Sequence, residues 1–208
     1  MTCIISKQIK CRFYHGEATI LSTKTLSEYP VSGNEFFTYG FHETPYGEAL
    51  AMATPKGLCA LAFVRDGNRD DALRARTNNY KYGSWHENPL TTQPYIDQIF
   101  YSDDAQDLKI FVRGTDFQVR VWEALLSIAC GQTASYADIA CLVNSPKAVQ
   151  AAGQAISRNP IAYLIPCHRV VRKSGSLGGY RWGSKCKIAI LNSEGIDMKK
   201  MDEIRKAA

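Results

Sequence analysis

Residues 135–170 read SYADIACLVNSPKAVQAAGQAISRNPIAYLIPCHRV, and this stretch decides how the C-terminal half of the chain folds. Ser135 is placed to cap a short helix, with Asp138 in its first turn and Ile139, Ala140 and Leu142 as its apolar residues. Val143-Asn144 makes a turn. Ser145 is expected to cap a second helix over residues 146–158, with Pro146 at the first position, where a missing N–H costs nothing. Ala148, Ala151, Ala152 and Ala155 let that helix approach a neighbour, or a DNA groove, closely. Asn159-Pro160 stops it, because the residue before proline avoids the helical region. Two short helices joined by a tight turn have the pattern of a helix-turn-helix. Residues 161–165 are then expected to be extended, leading into Ile165-Pro166-Cys167-His168-Arg169-Val170, which sets a thiol beside an imidazole.

Upstream, Phe117, Val121, Trp122, Leu125 and Ile128 recur at helical spacing, which predicts an amphipathic helix ended by Gly131, with Trp122 in the core. Earlier still the period changes to two. Phe37, Tyr39 and Phe41 alternate with polar or small residues, and turns at 44–47 and 55–57 separate two further apolar runs, 48–54 and 58–64. That is a meander of three strands. Helices are expected over 70–78 and 94–100 and a short strand over 108–112, giving a short antiparallel sheet with helices. His42 and His86 stand alone and read as structural or surface residues. Residues 1–34 read as an arm and linker, with Pro30, Ser32, Gly33 and Asn34 in the linker; Cys3, Cys11 and His15 are conceivable metal ligands but lack paired spacing. Downstream, Leu177–Gly183 is a glycine-broken loop carrying two aromatics and an arginine, and a last helix spans 185–194 before Gly195. The boundaries are thus an arm over 1–34, an α+β domain over 35–112 and a mostly helical domain over 113–208.

Charge divides the same way. Residues 31–110 carry seven Lys/Arg against eleven Asp/Glu, whereas residues 111–195 carry ten against four. A basic second half suits a polyanionic partner, although scattered surface charge has the same signature. The seven cysteines have no framework spacing, no apolar run approaches a membrane span, and the first residues lack a signal-peptide core. A reducing, cytoplasmic setting with free thiols is the expectation.

A free thiol is only a few per cent ionised at neutral pH, so a reactive cysteine needs a base or a cation nearby. Adjacent side chains diverge, so contact between Cys167 and His168 requires a water or a local bend. Glu194, beside Gly195, is one carboxylate that could orient the imidazole.

Taken together, Pro166-Cys167-His168-Arg169-Val170, the Phe117/Val121/Trp122 helix, Ser135-Tyr136, Asn159-Pro160, Gly179–Gly183 and Ser193-Glu194-Gly195 resemble the O6-alkylguanine-DNA alkyltransferases, over about residues 35–195. The Tyr180-Arg181-Trp182-Gly183 loop is similar to the transferase half of the Ada-type proteins. The resemblance implies a ribonuclease H-like N-terminal unit followed by a helix-turn-helix domain, and a monomer that acts once on double-stranded DNA without a cofactor. It implies Cys167 as alkyl acceptor, His168 as its base through a water, Glu194 as the group orienting His168, Asn159 as a brace for the turn, and Tyr136 as a donor toward guanine N3. Backbone near Val170 would read the exocyclic amine, and that of Tyr180 and Arg181 would face O6. Ser135, Lys147, Ala151, Arg158, Arg169 and Trp182 fall among the expected DNA and substrate contacts, with Trp182 limiting large O6 substituents. Gln150 departs from the family, which has an arginine there to fill the space of the flipped nucleotide. Two other classes stay open on the residues alone: a helix-turn-helix regulator without transfer, and a Cys-His hydrolase.

Overall fold

The computed structural model describes residues 5–10, 17–23, 36–78, 84–102 and 108–197. They form two compact units. One comprises the chain up to Val119 together with Pro160–Leu164; the other comprises Arg120–Asn159 and the chain from Ile165. Cys3, Cys11, His15 and the linker over 25–34 lie outside the described residues.

The first unit is a seven-stranded sheet in the order β1-β2-β7-β5-β4-β3-β6. Its strands are β1 (Ile5–Lys10), β2 (Glu17–Thr23), β3 (Phe36–His42), β4 (Ala49–Thr54), β5 (Gly57–Phe63), β6 (Ser84–Glu87) and β7 (Leu108–Arg113), with helices α1 (Arg69–Thr77) and α2 (Pro89–Phe100). The meander β3-β4-β5 is antiparallel, as its alternation predicts. Every residue of β4 and β5 is buried, as expected of strands covered on both faces. The tight β4–β5 turn requires glycine: Gly57 has φ +136°, and a Cβ there would lie 2.3 Å from the Lys109 carbonyl oxygen.

Three expectations are corrected here. The sheet is mixed rather than antiparallel, because β2, β5 and β3 pair in parallel with β7, β7 and β6; α1 and α2 supply the long connections that parallel neighbours need. Residues 5–10 and 17–23 are strands of that sheet and not an arm: β1 pairs with β2, and β2 with β7 some ninety positions away. Helix α2 begins at Pro89, not Pro94. Pro89 takes the first position freely, and Pro94 forfeits only its own bond to the Leu90 carbonyl.

Residues 160–164 belong to this unit for a local reason. Leu61 N–H donates to the Pro160 carbonyl at 3.1 Å, and Ala162 N–H donates to Leu61 O at 2.7 Å. The Tyr163 ring packs 5.4 Å from Tyr46 and 5.0 Å from Phe100. The expected extended segment is therefore one bridge at Ile161 followed by a turn with Tyr163 at φ +67°. The division between units falls within α3 (Asp116–Leu126), between Val119 and Arg120.

The second unit carries most of α3, then β8 (Ala134–Ser135), α4 (Tyr136–Leu142), α5 (Val149–Ser157), a single 3₁₀ turn (Cys167–Arg169), β9 (Val170–Val171) and α6 (Ser184–Ser193). Trp122 is buried, and its indole N–H donates to the Ala155 carbonyl at 2.9 Å, tying α3 to α5. Ser135 and Asp138 form a reciprocal capping box on α4. The α5 cap differs from expectation. Ala148 N–H donates to the Ser145 carbonyl, which turns Pro146 and Lys147 into a loop, while the Ser145 hydroxyl faces back to the Val143 carbonyl. The helix starts only at Val149, with no side-chain cap.

Helix α6 ends in a Schellman motif: Ile196 N–H reaches Leu191 O, Gly195 N–H reaches Asn192 O, and Gly195 is left-handed at φ +80°. Val171, Leu191 and Ile196 close a small apolar cluster over it. Glu194, at the cap, is thereby held inside the unit rather than frayed into solvent.

Candidate active site

Cys167 sits at the start of the 3₁₀ turn and is 5% exposed. Its N–H donates to Ile165 O, and Arg169 N–H donates to Pro166 O, so the backbone is folded tightly around it. Asn159, fully buried, braces that fold: its side-chain amide donates to Ile165 O at 2.8 Å and to the Cys167 sulfur at 3.1 Å. Three residues per turn set consecutive side chains about 120° apart, so Cys167 and His168 diverge.

His168 is turned away into the protein, where its Nε2 meets Glu194 Oε1 at 2.6 Å. Burial pushes its pKa down, and the neighbouring Arg169 and Lys187 add to that, against the upward pull of Glu194. The imidazole is therefore neutral near neutral pH. With Nε2–H given to the carboxylate, Nδ1 is left with the lone pair a base needs.

Arg169 does not face a DNA surface, contrary to the sequence expectation. It is 3% exposed, and its Nε donates to Glu194 Oε2 at 3.1 Å while Nη2 reaches Oε1 at 3.4 Å. Nη1 donates to the Ile128 carbonyl. A guanidinium in the interior needs an anion and carbonyls, and here it finds both.

Cys167 opens onto a cavity of roughly 230 Å³, lined also by Tyr136, Gly153, Ile156, Ser157, Gly179, Tyr180 and Arg181. Burial raises the Tyr136 phenol pKa, and Cys167 raises it further, so the hydroxyl stays a donor. Tyr180 is raised well above its ordinary value, chiefly by burial; its hydroxyl has no hydrogen-bond partner among the described residues. Arg181 is exposed along the same wall. Trp182 is a second correction: it is buried, packs edge-on against Tyr180 at 5.1 Å, and is not part of the cavity lining. The indole packs against Tyr180, which itself lines the cavity. Val170 is buried in β9, and Ser135 is engaged in the α4 cap.

Beside the cavity, α5 presents Gln150, Ala151, Gln154, Ser157 and Arg158 to solvent, with Lys147 exposed in the preceding turn. Its buried side is Ala152, Ala155 and Ile156. A small, polar outer face with basic groups at both ends can lie against a polyanion without a bulky obstruction.

The sequence reading missed Lys187. It is fully buried on α6, and its ammonium donates to Val170 O at 2.6 Å and Leu177 O at 2.5 Å. The signal was present: positions 187, 190, 191 and 194 recur at helical spacing, so Lys187 and Glu194 share the apolar stripe of Ile190 and Leu191. His42 is held in the first unit by Gln93 and Thr92 at 2.8 and 2.7 Å. Among the described residues no group of His, Cys, Asp and Glu is placed to hold a metal, and no helix is long and apolar enough to cross a membrane.

Residues 116–196 match the family model of the 6-O-methylguanine DNA methyltransferase DNA-binding domain. The regulatory protein ada of Salmonella typhimurium is 37% identical over 162 residues, a match that takes in 75% of this chain but 45% of that protein. The methylated-DNA–protein-cysteine methyltransferase of Methanosarcina barkeri is 36% identical over 156 residues, covering 75% of this chain and 96% of its own length. Among solved structures, Mycobacterium tuberculosis OGT in complex with DNA superposes with a TM-score of 0.61 at 34% identity, over 76% of this chain and 92% of that one.

Proposed function

The chain belongs to the methylated-DNA–protein-cysteine methyltransferases, and from that premise we propose that it reverses O6-alkylguanine damage in double-stranded DNA by a single irreversible transfer of the alkyl group to Cys167. The observation that carries this reading is the placement of the Cys167 thiol on a base-sized cavity, with a neutral buried histidine beside it on the same turn. A base inside a duplex cannot reach such a floor, so the nucleotide must be flipped out. We read α4 and α5 as a helix-turn-helix whose exposed α5 face enters a groove, and the mixed sheet of the first unit as ribonuclease H-like.

In this mechanism the Cys167 S–H proton passes through a water to His168, whose Glu194 contact keeps the tautomer with Nδ1 as acceptor. The thiolate attacks the O6-alkyl carbon. An S–C bond forms, the C–O bond breaks, and its electron pair stays on the guanine. Tyr136 donates toward guanine N3, and backbone N–H groups near Tyr180 and Arg181 stabilise O6; one such donor is worth about 3 kcal/mol of barrier in other enzymes. Asn159 keeps the sulfur on the cavity floor. Gln150 fills the vacated stack, with Lys147 and Arg158 meeting phosphates on either side. A thioether has no route back, so each protein turns over once. The free thiols at Cys59, Cys130, Cys141, Cys167 and Cys186 suit a reducing compartment such as the cytoplasm.

The test is incubation with a duplex containing O6-methylguanine, followed by peptide-resolved mass analysis. One methyl per protein, on the peptide bearing Cys167, is expected, with Cys167→Ser binding the duplex but gaining none. Methylation elsewhere, or release of free methyl product over many turnovers, would overturn the reading.

A further inference from the structure

Among the described residues that line the Cys167 cavity, Arg181 is the only one with a fixed charge, and no aspartate or glutamate accompanies it. Its guanidinium forms no hydrogen bond or ion pair with any of the described residues. It is neither fully in solvent nor fully inside. The residue is exposed at the rim, yet burial lowers the pKa of its guanidinium, and the Cys167 charge pulls that pKa back up. A cation extended into bulk water would show neither effect. Arg181 therefore lies at the mouth of the cavity, within electrostatic reach of the sulfur. Next to it, Tyr180 contributes a hydroxyl that is buried without a hydrogen-bond partner among the described residues. Burial, and then the Cys167 charge, raise its pKa, so it stays a donor. Gly179 leaves open space on the same wall, since a Cβ there would meet nothing within 4 Å.

In the reaction above, O6 faces the backbone of Tyr180 and Arg181. A substituent longer than methyl then runs along the wall that carries the Arg181 side chain. Thiolate attack on a carbon bearing a carboxylate brings two negative charges together, and the repulsion grows as water is excluded. A guanidinium within reach of both offsets it, and its planar fork matches a carboxylate. Resting on the alkyl-transfer reading, we propose that Arg181 equips this site for O6 substituents that end in a carboxylate, with carboxymethyl the shortest, and raises their transfer relative to neutral substituents of the same size.

The bond changes are those of methyl transfer. The S–H proton passes through a water to His168, and the sulfur attacks the CH2 carbon. An S–C bond forms, the C–O6 bond breaks, and its electron pair stays on the guanine. The carboxylate is carried across unchanged. Cys167 ends as S-carboxymethylcysteine, with Arg181 as its counter-ion and the Tyr180 O–H as a second donor. Phosphate binding by Arg181 is the competing role. A phosphate contact acts on every alkylated duplex alike, whereas the proposed pairing acts only where the substituent is charged.

The experiment compares wild type, Arg181→Met and Arg181→Lys on two matched pairs of alkylating groups. The first pair is duplexes of one sequence carrying O6-carboxymethylguanine or its O6-carbamoylmethyl analogue, an amide of the same shape without the charge. The second pair is iodoacetate and iodoacetamide, without DNA. Each is read as the rate of modification of the Cys167 peptide by mass, in single turnover for the duplexes, and expressed as a carboxylate-to-amide ratio. Arg181→Met is expected to lower that ratio about tenfold in both pairs, and Arg181→Lys to keep most of it. A fall on the duplexes, with or without one for the reagents, supports the proposal. An unchanged ratio for Arg181→Met on the duplexes overturns it. So does a fall confined to the reagents, which would place a cation near the sulfur but not beside the substituent. If circular dichroism shows Arg181→Met unfolded, Arg181→Gln takes its place under the same criteria. If wild type repairs an O6-methylguanine duplex but not the carboxymethyl one, the proposal fails and alkyl transfer stands. If wild type takes no methyl group from O6-methylguanine, the alkyl-transfer reading fails and the proposal falls with it.

Discussion

Replacing Arg169 with methionine separates two roles that its place in the Pro-Cys-His-Arg run leaves confounded. In the structure the guanidinium contacts both oxygens of Glu194 and the Ile128 carbonyl, and it is almost fully buried. Methionine fills similar space but leaves a buried carboxylate without its cation and a carbonyl without its donor. Breaking one side of a buried pair costs about 3–5 kcal/mol, and a bared carbonyl adds about 1–3 kcal/mol, not additively. A loss of about 4 kcal/mol is the expectation. For a chain of this length that is a fall of about 8–16 °C in Tm. Urea unfolding of the two proteins at one pH measures the loss. In parallel, duplex affinity is measured against salt. A phosphate contact would contribute about 0.9 to the log–log slope, so a buried Arg169 predicts an unchanged slope in any fraction that stays folded. Unfolding free energy within 1 kcal/mol of wild type, together with a slope lowered by about 0.9, would refute the burial argument and return Arg169 to the DNA surface.

Three further outcomes follow from particular residues. His168 resists protonation when folded, so between its ordinary value of 6.5 and its lowered folded value the unfolded chain binds the extra proton; stability should fall as pH drops below 6.5, by up to about 1.4 kcal/mol per unit, and His168→Gln should lack that component in urea titrations at a series of pH values. Gln150→Arg, on the exposed face of α5, should speed methyl transfer from duplex DNA while leaving transfer from the single-stranded oligonucleotide nearly unchanged; a slower or equal duplex rate in single-turnover assays counts against Gln150 as the residue that holds the flipped nucleotide out. Gly57→Ala places a Cβ 2.3 Å from the Lys109 carbonyl oxygen at a left-handed φ, so the loss should exceed the roughly 1–3 kcal/mol of backbone strain alone, read as a shifted urea midpoint with the DNA salt slope unchanged.

What was legible in the chain itself is what neighbouring residues determine among themselves. The period-two run from Phe36 became β3, and the glycine at 57 made the turn between β4 and β5. Ser135 and Asp138 capped α4, Asn159-Pro160 ended α5, and Gly195 ended α6 in the left-handed conformation a Schellman cap needs. Each depends on sterics or hydrogen bonds spanning a few residues, so composition and spacing suffice. The same locality misled at Ser145. A serine followed by proline satisfies every cap rule, yet the chain spends those residues on a turn because Ala148 finds the Ser145 carbonyl first.

The chemistry of the site depends on contacts that no local rule contains. His168 meets Glu194 from 26 positions away, Asn159 reaches the Cys167 sulfur across the Ile165 turn, and Arg169 reaches back 41 positions to Ile128. Strands β2 and β6 likewise exist because distant partners accept their backbone bonds. Sequence alone therefore determined which residues could react: a thiol and an imidazole, side by side in the chain. Only the tertiary structure decided that the imidazole is neutral and meets the Glu194 carboxylate, and that the adjacent arginine is buried against the same carboxylate. Burial is the physical reason. The same side chain that would be a solvated charge on a surface becomes, once water is excluded, a group that must find a specific partner.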